Sequence, residues 1–365
     1  MKTIKKRKQK LKGLTLIGIL GTLLMISTIF MLVTTGCTTS QSYGPLYGYI
    51  FLTDTYNGRV YTYNPEDHSV SQTPLLSTGA NGTGAIYFYN GYGYIATGYS
   101  TGGVYTFDPD AEAPQVSKFS SRSFSAQYIT FISADEGFVT DYGDWSDPQN
   151  TGGVYKFNPA DINSDFVFID GTEGNAQDII TVGRKVFVAS NGTNSIKIID
   201  TQNNYSVTTV NIPEGSNPTG LCTTPDEDKV YVTNTGTWGA SDGTISVIDT
   251  SDLSIQTLVT GLINPTMITY SNGFLYITGY SNSYYIDTTS QNPSPVELND
   301  KNNNSFGGGG ILVYDGLVYI TNFDFSTKIS KLYIFDEQTK QEVAFSPVNV
   351  GVDGEDGITG IAIYR

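Results

Sequence analysis

The sequence predicts an all-β fold, a seven-bladed β-propeller in which each blade is a four-stranded antiparallel sheet. Three observations lead to this prediction. A strand pattern recurs seven times after residue 45, its period is close to 44 residues, and helix signals are absent beyond the N-terminal segment. Repeats of about 40–45 residues, built from short β-branched and aromatic runs between turns, are typical of propeller blades.

One small residue near the end of a strand sets the register of each repeat. The spacings between successive copies are 44, 43, 49, 44, 45 and 43 residues. The copies are Thr53, Thr97, Thr140, Ala189, Thr233, Thr278 and Thr321. Because the spacing varies so little, we expect every repeat to form the same structural unit.

The next strand of each repeat runs into an Asn or Asp. Such a side chain can accept a hydrogen bond from the backbone N–H two residues further on, so we expect these residues to form turns rather than to act as catalytic carboxylates. They are Asn64, Asp108, Asn158, Asp200, Asp249, Asp287 and Asp336.

A further apolar strand precedes each of these strand pairs. Its last copy, residues 360–364, has no partner strand after it, whereas the first repeat, near Tyr49, has no such copy before it. We therefore expect the C-terminal strand to pair into the N-terminal blade. This pairing closes the ring and removes the open sheet edges.

The N-terminal 36 residues have the pattern of an export signal. Seven Lys and Arg residues precede the uncharged stretch over residues 13–33, which is typical of a signal peptide or an uncleaved anchor. Since the basic end stays in the cytoplasm, we expect the propeller to lie outside it. The predicted organisation is a signal peptide or anchor over 1–36, a polar linker over 37–45 and a propeller over 46–365.

Residues 32–37 read Leu-Val-Thr-Thr-Gly-Cys. This stretch resembles the bacterial lipoprotein cleavage motif, in which a small residue precedes a cysteine that is lipidated and becomes the new N-terminus. The resemblance implies lipidation of Cys37 and a lipid-anchored, extracytoplasmic protein at the cell membrane or cell surface. The alternative is that Cys37 merely ends an uncleaved anchor.

The charge balance argues against nucleic acid as a partner. All 35 Asp and Glu residues lie beyond the basic head, against 13 of the 20 Lys and Arg residues. An exported domain this acidic is repelled by nucleic acid. We expect a monomer whose partner is a protein, peptide or glycan of the cell envelope, with membrane contact through the lipidated N-terminus.

The inventory of reactive side chains predicts no catalytic residue, no metal and no cofactor. His68 is the only histidine and follows a strand in a turn-like stretch, whereas His-based triads and histidine-ligated metals need more imidazoles or a shaped pocket. Two acidic stretches, over residues 141–147 and 353–357, lack the alternating spacing of a helix-loop-helix calcium site. On these grounds the chain is not expected to be an enzyme.

The repeats differ mainly between their first two predicted strands, where the third, fifth and seventh blades carry insertions. The connections at this position emerge on one face of the ring, and they carry large aromatic rings, which suit a partner site. The predicted partner-binding residues are Tyr56, Tyr99, Tyr142, Trp145, Trp238, Tyr280, Phe323 and Phe325. The alternative is that these rings fold back as lids on the ring of blades.

The repeat motif itself resembles a known family. Residues 230–234 read Val-Tyr-Val-Thr-Asn, and residues 318–322 are a near copy, so the chain resembles the YVTN β-propeller repeat proteins, including those similar to surface-layer proteins. Such propellers serve as surface and adhesion modules and also as parts of oxidoreductases, so the resemblance implies mainly the fold. Together with the aromatic loops it favours a non-enzymatic, membrane-anchored binding or adhesion module. The alternative is a metal-dependent hydrolase or lyase with carboxylates at the channel mouth, for which the candidate residues are Gln127, Gln177, Asp178, Asp353 and Asp356.

Overall fold

The computed structural model describes residues 46–98, 102–120, 122–144, 146–149 and 151–365. Across these residues the chain forms 29 β-strands, arranged as seven antiparallel sheets. The predicted seven-bladed propeller is confirmed. None of the described residues lies in a helix that is long and apolar enough to cross a membrane.

Each blade contains an innermost strand followed by three strands placed successively further from the ring axis. The first blade consists of β29 (Ile358–Ile363), β1 (Ile50–Asp54), β2 (Arg59–Asn64) and β3 (Ser69–Val70), with β4 (Leu76–Ser77) also paired to β2. The second consists of β5 (Thr83–Tyr89), β6 (Tyr92–Thr97), β7 (Gly103–Phe107) and β8 (Ser117–Lys118). The third consists of β9 (Ala126–Ser133), β10 (Glu136–Asp141), β11 (Gly153–Phe157) and β12 (Val167–Phe168).

The remaining four blades repeat this order. The fourth consists of β13 (Ala176–Val182), β14 (Lys185–Ser190), β15 (Ser195–Asp200) and β16 (Ser206–Asn211). The fifth consists of β17 (Pro218–Thr223), β18 (Lys229–Asn234), β19 (Gly243–Asp249) and β20 (Ile255–Leu262). The sixth consists of β21 (Pro265–Ser271), β22 (Phe274–Gly279), β23 (Ser283–Asp287) and β24 (Val296–Leu298). The seventh consists of β25 (Ile311–Tyr314), β26 (Leu317–Asp324), β27 (Ile329–Asp336) and β28 (Val348–Val350).

The C-terminal strand closes the ring as predicted. In the antiparallel pairing of β29 with β1, Ile50 lies opposite Ile363 and Leu52 lies opposite Ile361. These four apolar side chains belong to the cluster that packs the first blade against the seventh. The burial of this cluster joins the two ends of the propeller, because apolar surface removed from water is the main source of stability in such an interface.

A polar network fastens the same junction. The buried carboxylate of Asp356 accepts hydrogen bonds from the Tyr61 hydroxyl (2.7 Å) and the Arg59 guanidinium (2.9 Å). The Asp54 carboxylate accepts a bond from the backbone N–H of Gly357 (2.8 Å). Burial and the neighbouring Asp356 raise the pKa of Asp54 to about 6. The carboxyl groups of Asp54 and Asp356 therefore hold the N- and C-terminal strands of one blade together.

The predicted turn residues do form turns. In six of the seven blades the Asx side chain accepts a hydrogen bond from the backbone N–H two residues on, at 2.8–3.0 Å. In the seventh blade Asp336 accepts the bond from Thr339, three residues on. This set of carboxylates and amides is thus structural.

The register threonines link neighbouring blades. Three of them donate a hydrogen bond across the blade boundary to a backbone carbonyl of the next innermost strand or its edge. The bonds run from Thr53 Oγ1 to Gly84 O (2.6 Å), from Thr233 Oγ1 to Thr266 O (2.5 Å) and from Thr321 Oγ1 to Thr359 O (2.9 Å). Since these hydroxyls are buried, each bond satisfies polar groups that water cannot reach.

The seventh blade departs from the expectation of a long loop. Its insertion is taken up largely by strand, because β26 and β27 extend their pairing through Phe323 opposite Ser330 and Asp324 opposite Ile329. Phe323 therefore lies in a strand rather than in a loop, and only a short turn follows it. The additional backbone hydrogen bonds between the two strands stabilise this hairpin at the edge of the ring.

We predict that Thr233→Val lowers the free energy of unfolding by about 1–3 kcal/mol, because it removes a buried hydroxyl and leaves its backbone partners unpaired. Thr233 Oγ1 also accepts the backbone N–H of Gly220 (2.8 Å), so the substitution affects two blades at once. Thr208→Val, at an exposed position of β16, is the matched control. Urea unfolding measures both variants, and equal stability of the two would contradict this role of the threonine.

Candidate functional site

A cavity of about 480 Å³ opens at the face of the ring where the innermost strands begin. Its walls come from the connections between first and second predicted strands and from the segments that enter the innermost strands. The lining residues include Thr55, Tyr56, Thr219, Trp238, Thr266, Tyr280, Asn322, Phe323, Phe325 and Thr359. We call this cavity the mouth.

Five aromatic rings form a continuous row along the mouth, which we call the aromatic arc. Trp238 and Tyr280 have ring centroids 4.4 Å apart, and Tyr280 and Phe325 are 6.1 Å apart and stacked. The row continues from Phe325 to Phe323 at 4.9 Å and from Phe323 to Tyr56 at 5.4 Å, both edge to face. These residues come from the fifth, sixth, seventh and first blades, which are adjacent in the closed ring.

The rings of the arc touch one another but do not cover one another. The exposed fraction is 66% for Trp238, 56% for Phe325, 53% for Tyr280 and 42% for Tyr56. Exposed aromatic surface of this extent is typical of a contact site for a ligand or partner. More than half of the surface of Trp238, Phe325 and Tyr280 is in water, whereas Phe323 is half-buried.

Hydroxyl and amide groups occupy the floor of the mouth between the rings. Thr55 Oγ1 donates to Thr83 O (3.0 Å), Thr219 Oγ1 to Asn217 O (3.0 Å) and Thr266 Oγ1 to Thr278 O (3.1 Å). A hydroxyl that donates within the protein still carries lone pairs that can accept a hydrogen bond. None of the described residues that line the mouth carries a charge.

The structure brings together five of the eight predicted partner-binding residues, namely Tyr56, Trp238, Tyr280, Phe323 and Phe325. Tyr142 is only 6% exposed and is not among the residues that line the mouth. Tyr99 and Trp145 lie outside the described residues, as does Cys37.

A second cavity, of about 260 Å³, follows the ring axis below the mouth. The innermost strands of all seven blades line it, and we call it the axial channel. Tyr128, Met267, Gly309 and Thr359 line both cavities. The Tyr128 hydroxyl donates a hydrogen bond to the Met267 sulfur (3.1 Å), which joins the third and sixth blades across the channel. Sequence reasoning missed this pair, because neither residue differs from ordinary strand residues.

Asp178 is a buried carboxylate in the axial channel. Its side chain lies at a register shift of β13, and its two oxygens accept the backbone N–H groups of Ile179 and Leu221, each at 2.8 Å. The bond to Leu221 crosses to the fifth blade from the one blade whose register residue is alanine, Ala189, rather than threonine. Burial raises the pKa of Asp178 to about 7, and the two backbone hydrogen bonds oppose this rise.

The other carboxylates and amides proposed for a hydrolytic site are not gathered around Asp178. Asp356 is buried in the junction of the first blade, bonded to Arg59 and Tyr61, and Asp353 is exposed. Gln127 Nε2 bonds Ser125 instead. Among the residues that the structure describes, no group of three or more His, Cys, Asp or Glu side chains is placed to hold a metal ion.

Neither a protein-family model nor a curated protein sequence matches this chain, so membership of the YVTN family stays a prediction. Solved structures do match its fold. A quinoprotein alcohol dehydrogenase-like protein from Bacteroides thetaiotaomicron has a TM-score of 0.64 at 13% identity, covering 89% of this chain and 80% of its own.

Two further neighbours carry the names of lactonases. A protein from Bacteroides fragilis, provisionally named a 6-phosphogluconolactonase, has a TM-score of 0.62 at 13% identity, with 89% of this chain and 99% of its own covered. The periplasmic gluconolactonase of Pseudomonas aeruginosa has a TM-score of 0.63 at 15% identity, with 85% and 99% covered. At these identities the likeness establishes the β-propeller fold.

The expectation that the chain is not an enzyme is wrong, because the sequence did not justify excluding enzyme activity. It rested on a scarcity of histidines and on the absence of a motif, yet the structural neighbours include proteins named as hydrolases of sugar lactones. A propeller can position catalytic groups from the ends of several blades, so a linear motif is not required.

Proposed function

We propose that the mouth binds a neutral carbohydrate and that the N-terminal segment holds the propeller outside the cell, at the membrane. The observation that carries the first part is the aromatic arc, a continuous row of five rings, four of them exposed, along a cavity with no charged lining residue among those described. The mouth has the size usual for a small-molecule site, about 300–1,000 Å³.

The chemistry of the mouth matches that of a sugar. A pyranose ring has C–H faces that can pack on aromatic rings and hydroxyls that need hydrogen-bond partners once they leave water. The arc offers the rings, and Thr55, Thr219, Thr266 and Asn322 offer polar partners on the floor. Trp238 and Tyr280, whose rings are 4.4 Å apart and inclined at 59°, form a corner against which one sugar ring can rest.

The absence of lining charge also favours a neutral ligand. The chain carries 35 Asp and Glu residues against 20 Lys and Arg residues, yet these charges lie elsewhere than on the described wall of the mouth. A charged peptide would have to leave part of its hydration shell without gaining an ion pair, which costs free energy. A neutral sugar has no charged group whose hydration shell must be removed.

Hydrolysis of the bound sugar is the second candidate. It is favoured by the two structural neighbours that are named as lactonases. Incubation of the protein with glucono-δ-lactone at constant pH measures it, since ring opening releases a titratable acid. Acid release faster than the uncatalysed rate, and slower with Trp238→Ala, would support hydrolysis at the mouth. Acid release at the uncatalysed rate would support carbohydrate binding without hydrolysis.

We predict that Trp238→Ala weakens carbohydrate binding at least tenfold, because it removes the most exposed ring of the arc and about 1.4 kcal/mol or more of contact energy. Calorimetry with a panel of neutral oligosaccharides measures the affinity. Tyr92→Ala is the matched control, since Tyr92 is also an exposed ring, 49% exposed, but follows the innermost strand of the second blade rather than lining the mouth.

Two results would contradict this proposal. One is equal affinity of Trp238→Ala and the unaltered protein for every sugar that binds. The other is a panel in which no neutral oligosaccharide binds while unstructured peptides do, which would make the aromatic arc a peptide site.

The membrane anchor is tested separately. We predict that the cells incorporate a radiolabelled fatty acid into the unaltered protein and not into Cys37→Ser, and that this variant leaves the membrane fraction when its leader is cleaved. Full precursor length of the unaltered protein in the membrane fraction would instead support an uncleaved anchor. A label that persists in the variant would refute lipidation at Cys37.

A further inference from the structure

We propose that the axial channel is a second binding site, distinct from the mouth, for a small organic ammonium ion that pairs with the Asp178 carboxylate. The channel is a formed cavity of about 260 Å³ whose lining comes from all seven blades. Its entrance adjoins the mouth, since Tyr128 and Met267 line both cavities. The hydrogen-bonded pair of Tyr128 and Met267 therefore lies where the channel meets the mouth.

Asp178 supplies a charge that the protein does not neutralise with a cation. Among the described residues that line the channel it is the one charged side chain, and no lysine, arginine or histidine lines it with Asp178. The two backbone N–H bonds at 2.8 Å use one lone pair on each oxygen and leave the others for a ligand. An ionised carboxylate in a low-dielectric interior is costly without a counter-ion. Because the protein supplies no such counter-ion, a cation that enters the channel can form an ion pair with Asp178.

The surroundings favour an organic ammonium ion over a metal ion. Calcium takes six to eight oxygen ligands, mostly carboxylates, carbonyls and waters, but Asp178 is the one carboxylate among the described residues that line the channel. What the channel offers beside the carboxylate is aromatic and apolar, from Tyr87, Tyr128 and the inner-strand isoleucines. Tyrosine rings attract an ammonium group, and an alkyl chain packs favourably against aliphatic side chains.

The titratable groups that face Asp178 are neutral and do not compete with the ligand. They are Tyr87 on β5, Tyr128 on β9 and Cys222 on β17. Burial, followed by the charge of Asp178, raises the pKa of each of the three further above its ordinary value. Near neutral pH the carboxyl of Asp178 is therefore the one group among these that changes its charge.

Ammonium binding should be linked to proton release. The pKa of Asp178 is raised to about 7, so at pH 6 most of the carboxyl is protonated and at pH 8 most is ionised, while an alkylammonium remains charged at both. An ion pair needs the ionised form. The affinity therefore rises about tenfold from pH 6 to pH 8, and binding at pH 6 expels a proton.

The probe for the test is n-propylammonium chloride, titrated calorimetrically into the full chain at pH 6 and pH 8. At pH 6 the titration is repeated in two buffers that differ in ionisation enthalpy, which counts the protons released. We expect the tenfold pH effect, proton release at pH 6 and no binding of 1-propanol, which matches the ligand without its charge.

Variants locate the site. Asp178→Asn should weaken propylammonium binding at least tenfold and remove the pH effect, whereas Asp353→Asn, the same change at an exposed carboxylate, should leave both intact. Carbohydrate binding at the mouth should persist in Asp178→Asn, so the two proposals fail or stand separately. If Asp178→Asn does not fold, the proton count and the propanol comparison on the unaltered protein decide.

Three results would overturn the proposal. They are no propylammonium binding at millimolar concentration, equal affinity at pH 6 and pH 8, or equal affinity of Asp178→Asn and Asp353→Asn. Any of these would mean that Asp178 only joins the fourth and fifth blades through its bond to Leu221.

Discussion

The structure depends on polar bonds that cross from one blade to the next at the ring axis. In three blades a buried threonine hydroxyl near the end of the blade's second strand donates to a carbonyl of the neighbouring blade, as Thr233 does to Thr266. The fourth blade has Ala189 at this position, and there the Asp178 carboxylate makes the crossing bond instead, to Leu221. Apolar packing between blades is non-directional, so at these four blade boundaries the directional bonds fix how one blade lies against the next.

The same constraint assembles the mouth. Tyr56 and Phe323 are far apart in sequence, and their rings meet, with centroids 5.4 Å apart, only because β29 closes the first blade against the seventh. The arc then follows the ring through four adjacent blades to Trp238. A site of this kind belongs to the closed ring rather than to any one repeat. A short sequence motif therefore cannot describe it.

The sequence predicted what each repeat determines locally. The Asx turns after the third strand of each blade, such as that of Asp249, and the closure by the last strand follow from spacing and are present. It could not predict contacts that depend on the neighbouring blade. Tyr142 and Tyr280 are both tyrosines that directly follow the second strand of their blade. Tyr142 is nevertheless buried, whereas Tyr280 is exposed. His68 follows a strand in a turn-like stretch, and nothing in that stretch predicts that its ring stacks on Phe345 of the seventh blade, with ring centroids 3.6 Å apart.

A crystal structure of the protein soaked with a neutral oligosaccharide tests carbohydrate binding at the mouth most directly. We expect one sugar ring packed on Trp238 and Tyr280, with its hydroxyls toward the threonines on the floor of the mouth. Sugar bound on another face of the propeller, or a mouth that stays free of sugar at saturating concentration, would contradict it.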